Sequence, residues 1–142
     1  MMGPSDGSIP GLYLLAAYDV IDLLNQYSDL ELYLSFYEIY CGKLQDLLNN
    51  RKEVVCREDK NQAVNIVNLT QQKCLTVEDI MEALGRGMKL RASGTTGANA
   101  ESSRSHAIMM MQLKHYDNLY SKMTFIDLAG SERGADTINT NK

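Results

Sequence analysis

Two short segments of this chain hold side chains that could do chemistry on phosphate. The first is Ser102-Ser103-Arg104-Ser105-His106, at the end of a loop of small residues that includes Gly94 and Gly97. Serine hydroxyls are compact ligands for Mg2+ and for phosphate oxygens. The second begins at Asp127, which ends the buried-strand pattern Met123-Thr124-Phe125-Ile126 and is followed by Gly130. An acid at the carboxyl end of a strand faces the crevice where α/β proteins bind ligands, and there it can hold Mg2+ directly or through water. A glycine just beyond it lets a backbone N–H approach a terminal phosphate. Arg104 and Glu132 then make an obvious pair, because a guanidinium fork and a carboxylate from two loops can close as a bidentate contact. Taken singly, each segment also has an ordinary reading. An Asp-x-x-Gly after a strand is common turn chemistry, the serine run alone is an exposed polar loop or a modification site, and His106 suits a structural role as well as a functional one.

The elements that must position these residues can be read from periodicity. Leu12, Leu15, Ala16, Val20, Leu23 and Leu24 recur at helical spacing, which predicts an amphipathic helix up to Asn25. The run LELYLSFYEIY from Leu30 to Tyr40 is apolar on both parities, the pattern of a central strand covered on both faces and calling for helices above and below it. Gly42 to Asn49 reads as a helical turn, and Arg51 to Cys74 as a small, partly exposed β excursion. Thr76 and Asp79 form a capping box, after which Val77, Ile80, Met81, Leu84 and Met88 give the apolar stripe of a helix reaching about Arg91. Those methionines read as core filler. Two strands follow, His106 to Lys114 and Met123 to Leu128, with Tyr116 to Ser121 between them, close enough for an antiparallel hairpin. The serine loop before them and everything after Ala129 carry no apolar periodicity that would order them.

At 142 residues, with 44% hydrophobic and 23% charged content, the chain has the size and composition of one globular domain. A formal charge of −4 argues against nucleic acid or an anionic membrane as the main partner. Cys41, Cys56 and Cys74 are odd in number and lack CxxC spacing, and neither His106 nor His115 falls near them in a ligand pattern. They read as buried, reduced thiols. No basic segment leads into an apolar stretch at the start, and no run of about 18 apolar residues occurs, so a protein neither secreted nor membrane-spanning is expected.

With Asn99-Ala100-Glu101 completing NxxSSRSH, and Asp127-Leu128-Ala129-Gly130-Ser131-Glu132 in order after one hairpin, the pairing resembles the switch I and switch II loops of the kinesin motor ATPases. Gly11-Leu12-Tyr13, Phe36-Tyr37-Glu38-Ile39-Tyr40 and Asp46-Leu47-Leu48 also sit where that family has them. Arg91-Ala92-Ser93-Gly94 and Glu132-Arg133-Gly134-Ala135-Asp136-Thr137 are most similar to the thirteenth, internal-motor family, which depolymerises microtubule ends. The resemblance implies ATP and Mg2+ as ligands. Ser103 would bind Mg2+, with Ser102 and Asn99 near the γ-phosphate and the attacking water. Asp127 would anchor Mg2+ through water, Gly130 would offer its amide to the γ-phosphate, and Arg104 would pair with Glu132. Losing one member of that pair would cost on the order of 3–5 kcal/mol if the pair closes buried, and much less if it is solvated.

The fold expected from the resemblance is α/β, half of a mixed, mainly central β-sheet flanked by helices, from a P-loop NTPase-type motor domain. All 142 residues would then be a partial motor domain, with its phosphate loop upstream and its main microtubule-binding helix downstream. No GxxxxGK[ST] occurs within the chain: Gly42-Lys43 runs into Leu44, and Gly85-Arg86-Gly87 leads to Leu90. The isolated chain should therefore bind ATP negligibly, and its Met123 strand should present an apolar edge prone to association. Met1-Met2-Gly3 resembles the end of the helix that follows the phosphate loop. Microtubules or tubulin are the expected partners, in the cytoplasm and on the cytoskeleton, spindle included, with a kinesin partner chain as an option. The 51–75 region, with Arg51, Lys52, Arg57 and Lys60, resembles a secondary tubulin contact and reads equally as a solvated hairpin. The alternative is a non-catalytic binding module without a phosphate loop, and a GTPase is disfavoured by the motif pairing.

Overall fold

The computed structural model describes residues 1–3, 10–93 and 105–130. The elements run α1 (Leu12–Leu24), β1 (Leu30–Tyr40), β2 (Lys43–Asp46), β3 (Lys52–Glu58), β4 (Val64–Val67), β5 (Gln72–Cys74), α2 (Val77–Ser93), β6 (Ser105–His115) and β7 (Asn118–Asp127). The strands form one curled sheet in the order β4-β3-β2-β1-β6-β7, with β5 also on β1. Every pairing among them is antiparallel, whereas a mixed sheet was expected. The reason is topological: α2 carries the chain from β5 to β6 across β1, so two strands of like direction are kept apart by a third of opposite direction. Met1–Gly3 is not helical, and the Tyr13 amide donates to the Met1 carbonyl across 3.3 Å.

Alternation on β1 and β6 sends Leu32, Leu34 and Phe36, with Met109 and Met111, to the face that α1 and α2 cover. There they meet Tyr13 and Ala17 of α1 and Ile80, Ala83 and Leu84 of α2, all buried. Tyr13 stands edge-on to Phe125, with ring centroids 5.9 Å apart. On α1 the buried residues are Tyr13 and Ala17, whereas Leu12, Leu15 and Leu23 of the sequence-derived stripe are exposed. This helix is apolar nearly all round, so periodicity alone does not choose its inner face. Helices on both faces of β1 were expected, yet the other face is covered by the chain between β2 and β5. The buried Ser35 hydroxyl donates to the Thr70 carbonyl at 2.7 Å, and buried Asp46 accepts from the Leu48 and Thr70 amides at 2.9 and 2.8 Å.

Gly42–Asn49 is not a helical turn. Cys41 and Gly42, at φ 50° and 76°, form a two-residue turn of the primed kind, and β2 then pairs with β1, Ile39 opposite Leu44. The second hairpin turns likewise on Tyr116 and Asp117, at φ 46° and 65°, so β7 starts at Asn118 and absorbs most of the expected connection. A bulge at Tyr120 shifts the register between Leu113 and Lys114. Cys41 and Cys56 are exposed and only Cys74 is buried, against the expectation for all three. Among the described residues no helix is long and apolar enough to cross a membrane.

Gly87 lies on the inner face of α2 against β1. A Cβ there would come within 2.5 Å of Phe36 Cδ1 and 3.2 Å of Leu47 Cβ, whereas one at Gly85 meets nothing within 4 Å. Gly85→Ala should therefore stabilise by about 0.5–1 kcal/mol through helix propensity and lost unfolded-state entropy. Gly87→Ala should destabilise by about 1–3 kcal/mol because overpacking outweighs the same gain. Urea unfolding of the two variants checks the opposite signs.

The capping box forms as expected. Asp79 accepts from the Leu75 and Thr76 amides at 2.9 and 3.0 Å, and the Asp79 amide donates to Thr76 Oγ1 at 3.1 Å. The Leu75 amide first, and the Thr76 amide next, hold the Asp79 carboxyl below its ordinary value. A depressed folded-state value stabilises above the unfolded-state value, so this contribution is lost as pH falls through the folded-state value. In Asp79→Asn the acid limb of a stability-versus-pH curve should be shallower below about pH 4, near the unperturbed aspartate value.

Candidate functional site

Three elements end at one place. The C-terminal turn of α2, the start of β6 and the end of β7 converge because β6 and β7 are in register with Ala107 opposite Asp127. Arg91 is 4% exposed there. Its Nε donates to Ser105 Oγ at 3.2 Å, its Nη2 to the Ser105 carbonyl at 2.9 Å and its Nη1 to Asp127 Oδ2 at 3.3 Å. The pairing is unequal, since the Arg91 side chain is 5% exposed and that of Asp127 42%. One end of the contact is a buried cation and the other faces solvent. Tyr13 packs near the same point: burial raises its pKa first, the negative charge of Asp127 raises it further, and Arg91 opposes this.

His106 ties the start of β6 to the residues just after β7. Its Nδ1 accepts from the Ala129 amide at 3.0 Å, which places the ring proton on Nε2 and holds the chain leaving β7 against the first residues of β6. Gly130 comes next, with nothing within 4 Å of where its Cβ would be, so packing within the described residues does not demand a glycine. Asn99, Ser102, Ser103, Arg104 and Glu132 lie outside the described residues. Ser105 and His106 of the first motif and Asp127, Leu128, Ala129 and Gly130 of the second are thus the described parts of the two motifs, and the fold brings their strand ends together.

Arg91 is the member of this site that residue types and spacing did not single out. A signal for it exists: Val77, Ile80, Leu84 and Gly87 are buried at alternating steps of three and four, and Arg91 continues that stripe where an apolar residue would ordinarily stand. A buried arginine on an apolar stripe needs carboxylate or carbonyl partners, and Ser105 and Asp127 supply them.

A second buried charge lies on the same face. Glu38 is fully buried, stands opposite Ala107 on β1, and has Oε1 2.7 Å from Arg51 Nη2. Arg51 also donates from Nε to Gln45 Oε1 at 2.9 Å. With its side chain only 20% exposed, Arg51 faces inward, and of the four basic residues proposed as a partner contact Lys52, Arg57 and Lys60 remain on the surface.

As a donor for a hydrated divalent cation, Asp127 fits in chemistry and exposure, being a hard oxygen ligand open to solvent at the end of a strand. Among the described residues there is no group of three or more His, Cys, Asp or Glu side chains that could hold a metal on its own, so any further ligands must come from elsewhere.

The kinesin motor domain family matches residues 1–142. The chain is 44% identical over 137 residues to the kinesin-like protein KIF24 of Homo sapiens, covering 94% of this chain and 10% of that protein. It is 45% identical over 142 residues to the kinesin-like protein KIN-13B of Arabidopsis thaliana, covering 92% of this chain and 21% of that one. It thus spans a tenth to a fifth of the length of these relatives. The match over the full chain, with the two motifs converging at the ends of β6 and β7, establishes that the chain belongs to the kinesin motor domain family.

Proposed function

We propose that the chain is the central part of a P-loop motor ATPase domain, carrying the loops that sense the γ-phosphate, and that the whole protein couples Mg-ATP hydrolysis to its grip on microtubules. The observation that carries this reading is the junction of Arg91, Ser105 and Asp127 with the His106–Ala129 clip. It joins the exit of one motif to the entrance of the other, so displacement of one loop is felt by its partner. Bound Mg-ATP would supply the phosphoryl group and its charge compensation. Asp127 would orient a metal-bound water, Gly130 would present its amide, Ser103 would add a hydroxyl ligand, and Asn99 and Ser102 would hold the attacking water. Arg104 would pair with Glu132 on closure. Catalysis of this class is positioning plus charge stabilisation, so the roles are interdependent.

The phosphate loop would lie on sequence preceding residue 1, and tubulin is the partner this reading implies. The surface residues Lys52, Arg57 and Lys60 on the β3–β4 hairpin are candidates for a minor contact with acidic tubulin. The test extends the reading frame upstream and, if a GxxxxGK[ST] is found, measures microtubule-stimulated ATPase activity of the extended protein. Asp127→Asn and Ser103→Ala should then each lower kcat by at least tenfold. A product without that loop and without nucleotide affinity would replace this reading with that of a non-catalytic tubulin- or motor-binding module.

A further inference from the structure

A small cleft lies at the far end of the sheet, where α1 hands over to β1 and the β6–β7 hairpin turns. His115 stands there, eight residues beyond Ala107 on β6 and so roughly 27 Å from the Asp127 end at about 3.4 Å per residue. The cleft has a volume of about 190 Å3 and is walled by Tyr27, Asp29, Leu30, His115 and Tyr120. Sites for cofactors and drug-sized ligands run to about 300–1,000 Å3, so this one suits a single long side chain.

Backbone contacts hold the walls in place. The Tyr27 amide donates to the Leu24 carbonyl at 2.9 Å, which keeps that residue just past the end of α1, and Leu30 and His115 are cross-strand partners. Alternation along β7 would send Tyr120 to the face opposite Leu30 and His115. The bulge leaves Tyr120 without a partner on β6 and re-aims it, so that its ring forms a wall of the cleft. Tyr116 backs this wall, its ring centroid 4.5 Å from that of His115.

These side chains make a site for a cation. The faces of aromatic rings are electronegative, and a carboxylate beside them adds a full negative charge. Tyr27 and Tyr120 are more than half exposed, so neither ring is buried in the core. Asp29 accepts the Ser28 hydroxyl on Oδ1 at 2.5 Å, and its Oδ2 lies 3.8 Å from His115 Nε2, beyond hydrogen-bond length. Among the described residues no lysine or arginine pairs with Asp29.

We propose that this cleft anchors an arginine side chain of a partner polypeptide, its guanidinium lying on the tyrosine rings and forked to Asp29. A guanidinium is planar and weakly hydrated, stacks on aromatic faces and meets a carboxylate through two donors, whereas an ammonium is a compact and strongly hydrated point charge. The anchor stands at the opposite end of the sheet from Asp127, so it holds whether or not the nucleotide reading does.

The test titrates the 142-residue chain with N-acetyl-arginine amide, its lysine counterpart and its citrulline counterpart, a neutral isostere, while NMR follows the ring signals of Tyr27, His115 and Tyr120. The arginine probe should shift these signals saturably, with a Kd on the order of millimolar. Citrulline should bind at least about fivefold more weakly, with lysine between the two. Asp29→Asn and Tyr120→Leu should each weaken the arginine probe by about threefold or more, while Glu78→Gln, an exposed acid on α2, should leave it unchanged. Should Tyr120→Leu disturb the bulge, Tyr27→Leu tests the other ring. A response that does not saturate overturns the proposal, as does citrulline binding as well as arginine or an affinity that survives loss of Asp29. Equal affinity for the lysine probe rejects the guanidinium assignment.

Discussion

Arg91→Met should lower the stability of the fold by on the order of 2–4 kcal/mol, the usual range for removing a buried, hydrogen-bonded cation whose partners are then stranded. Two of the bonds lost go to Ser105, which is fully buried, and methionine cannot satisfy either its hydroxyl or its carbonyl. Another goes to Asp127, whose half-open carboxylate can recover water, so that contact contributes less than those to Ser105. Arg91→Lys should recover only part of the loss, because one ammonium cannot reproduce a fork that reaches Ser105 and Asp127 together. Unfolding in urea gives the magnitude, and faster amide exchange at Ser105 and Ala107 should mark its location. A loss below about 0.5 kcal/mol, the range of an ordinary surface substitution, would mean that the junction is not held by this residue.

Asp46→Ala should cost about as much, on the order of 3–5 kcal/mol, since hydrogen bonds to a charged acceptor contribute about 1.5–3 kcal/mol each and two are lost. Asp46 ends β2, is fully buried, and holds the Leu48 amide on one oxygen and the Thr70 amide on the other. Thr70 in turn accepts from Ser35, so this one carboxylate keeps the 68–71 segment pressed on the second face of β1. Asp46→Asn retains one acceptor oxygen but aims an NH2 group at a backbone donor, and it should lose roughly half as much. Thermal unfolding measures the loss. Exchange at the Thr70 amide should rise in both variants while that of the inner β6 residues holds, a pattern that separates local release from global weakening.

Each of these residues was visible in the sequence, though not in its role. Asp46 stood in a segment that reads as a helical turn, because Lys43-Leu44-Gln45-Asp46-Leu47-Leu48 is too short for periodicity to separate helix from strand. Pairing with β1 decided it, after a turn at Cys41-Gly42. Tyr116-Asp117 carries none of the Asn-Gly or Asp-Gly signals that mark such turns, so the length of β7 was hidden until its register on β6 was known. Arg51 reads as a surface cation until Glu38 is found beneath it.

What the sequence determined by itself is what neighbouring residues decide among themselves. The both-parity run of β1, the capping box and apolar stripe of α2, the β6–β7 hairpin and the two motifs follow from side-chain alternation, caps and local spacing. What only the tertiary structure decided is which of those pieces meet. Arg91 reaches Ser105 across 14 residues and Asp127 across 36 because β1 seats between β5 and β6, carries α2 over the sheet and sets the rows of side chains in register. Periodicity tells a residue which face of its own element it occupies, and only packing tells it what lies opposite.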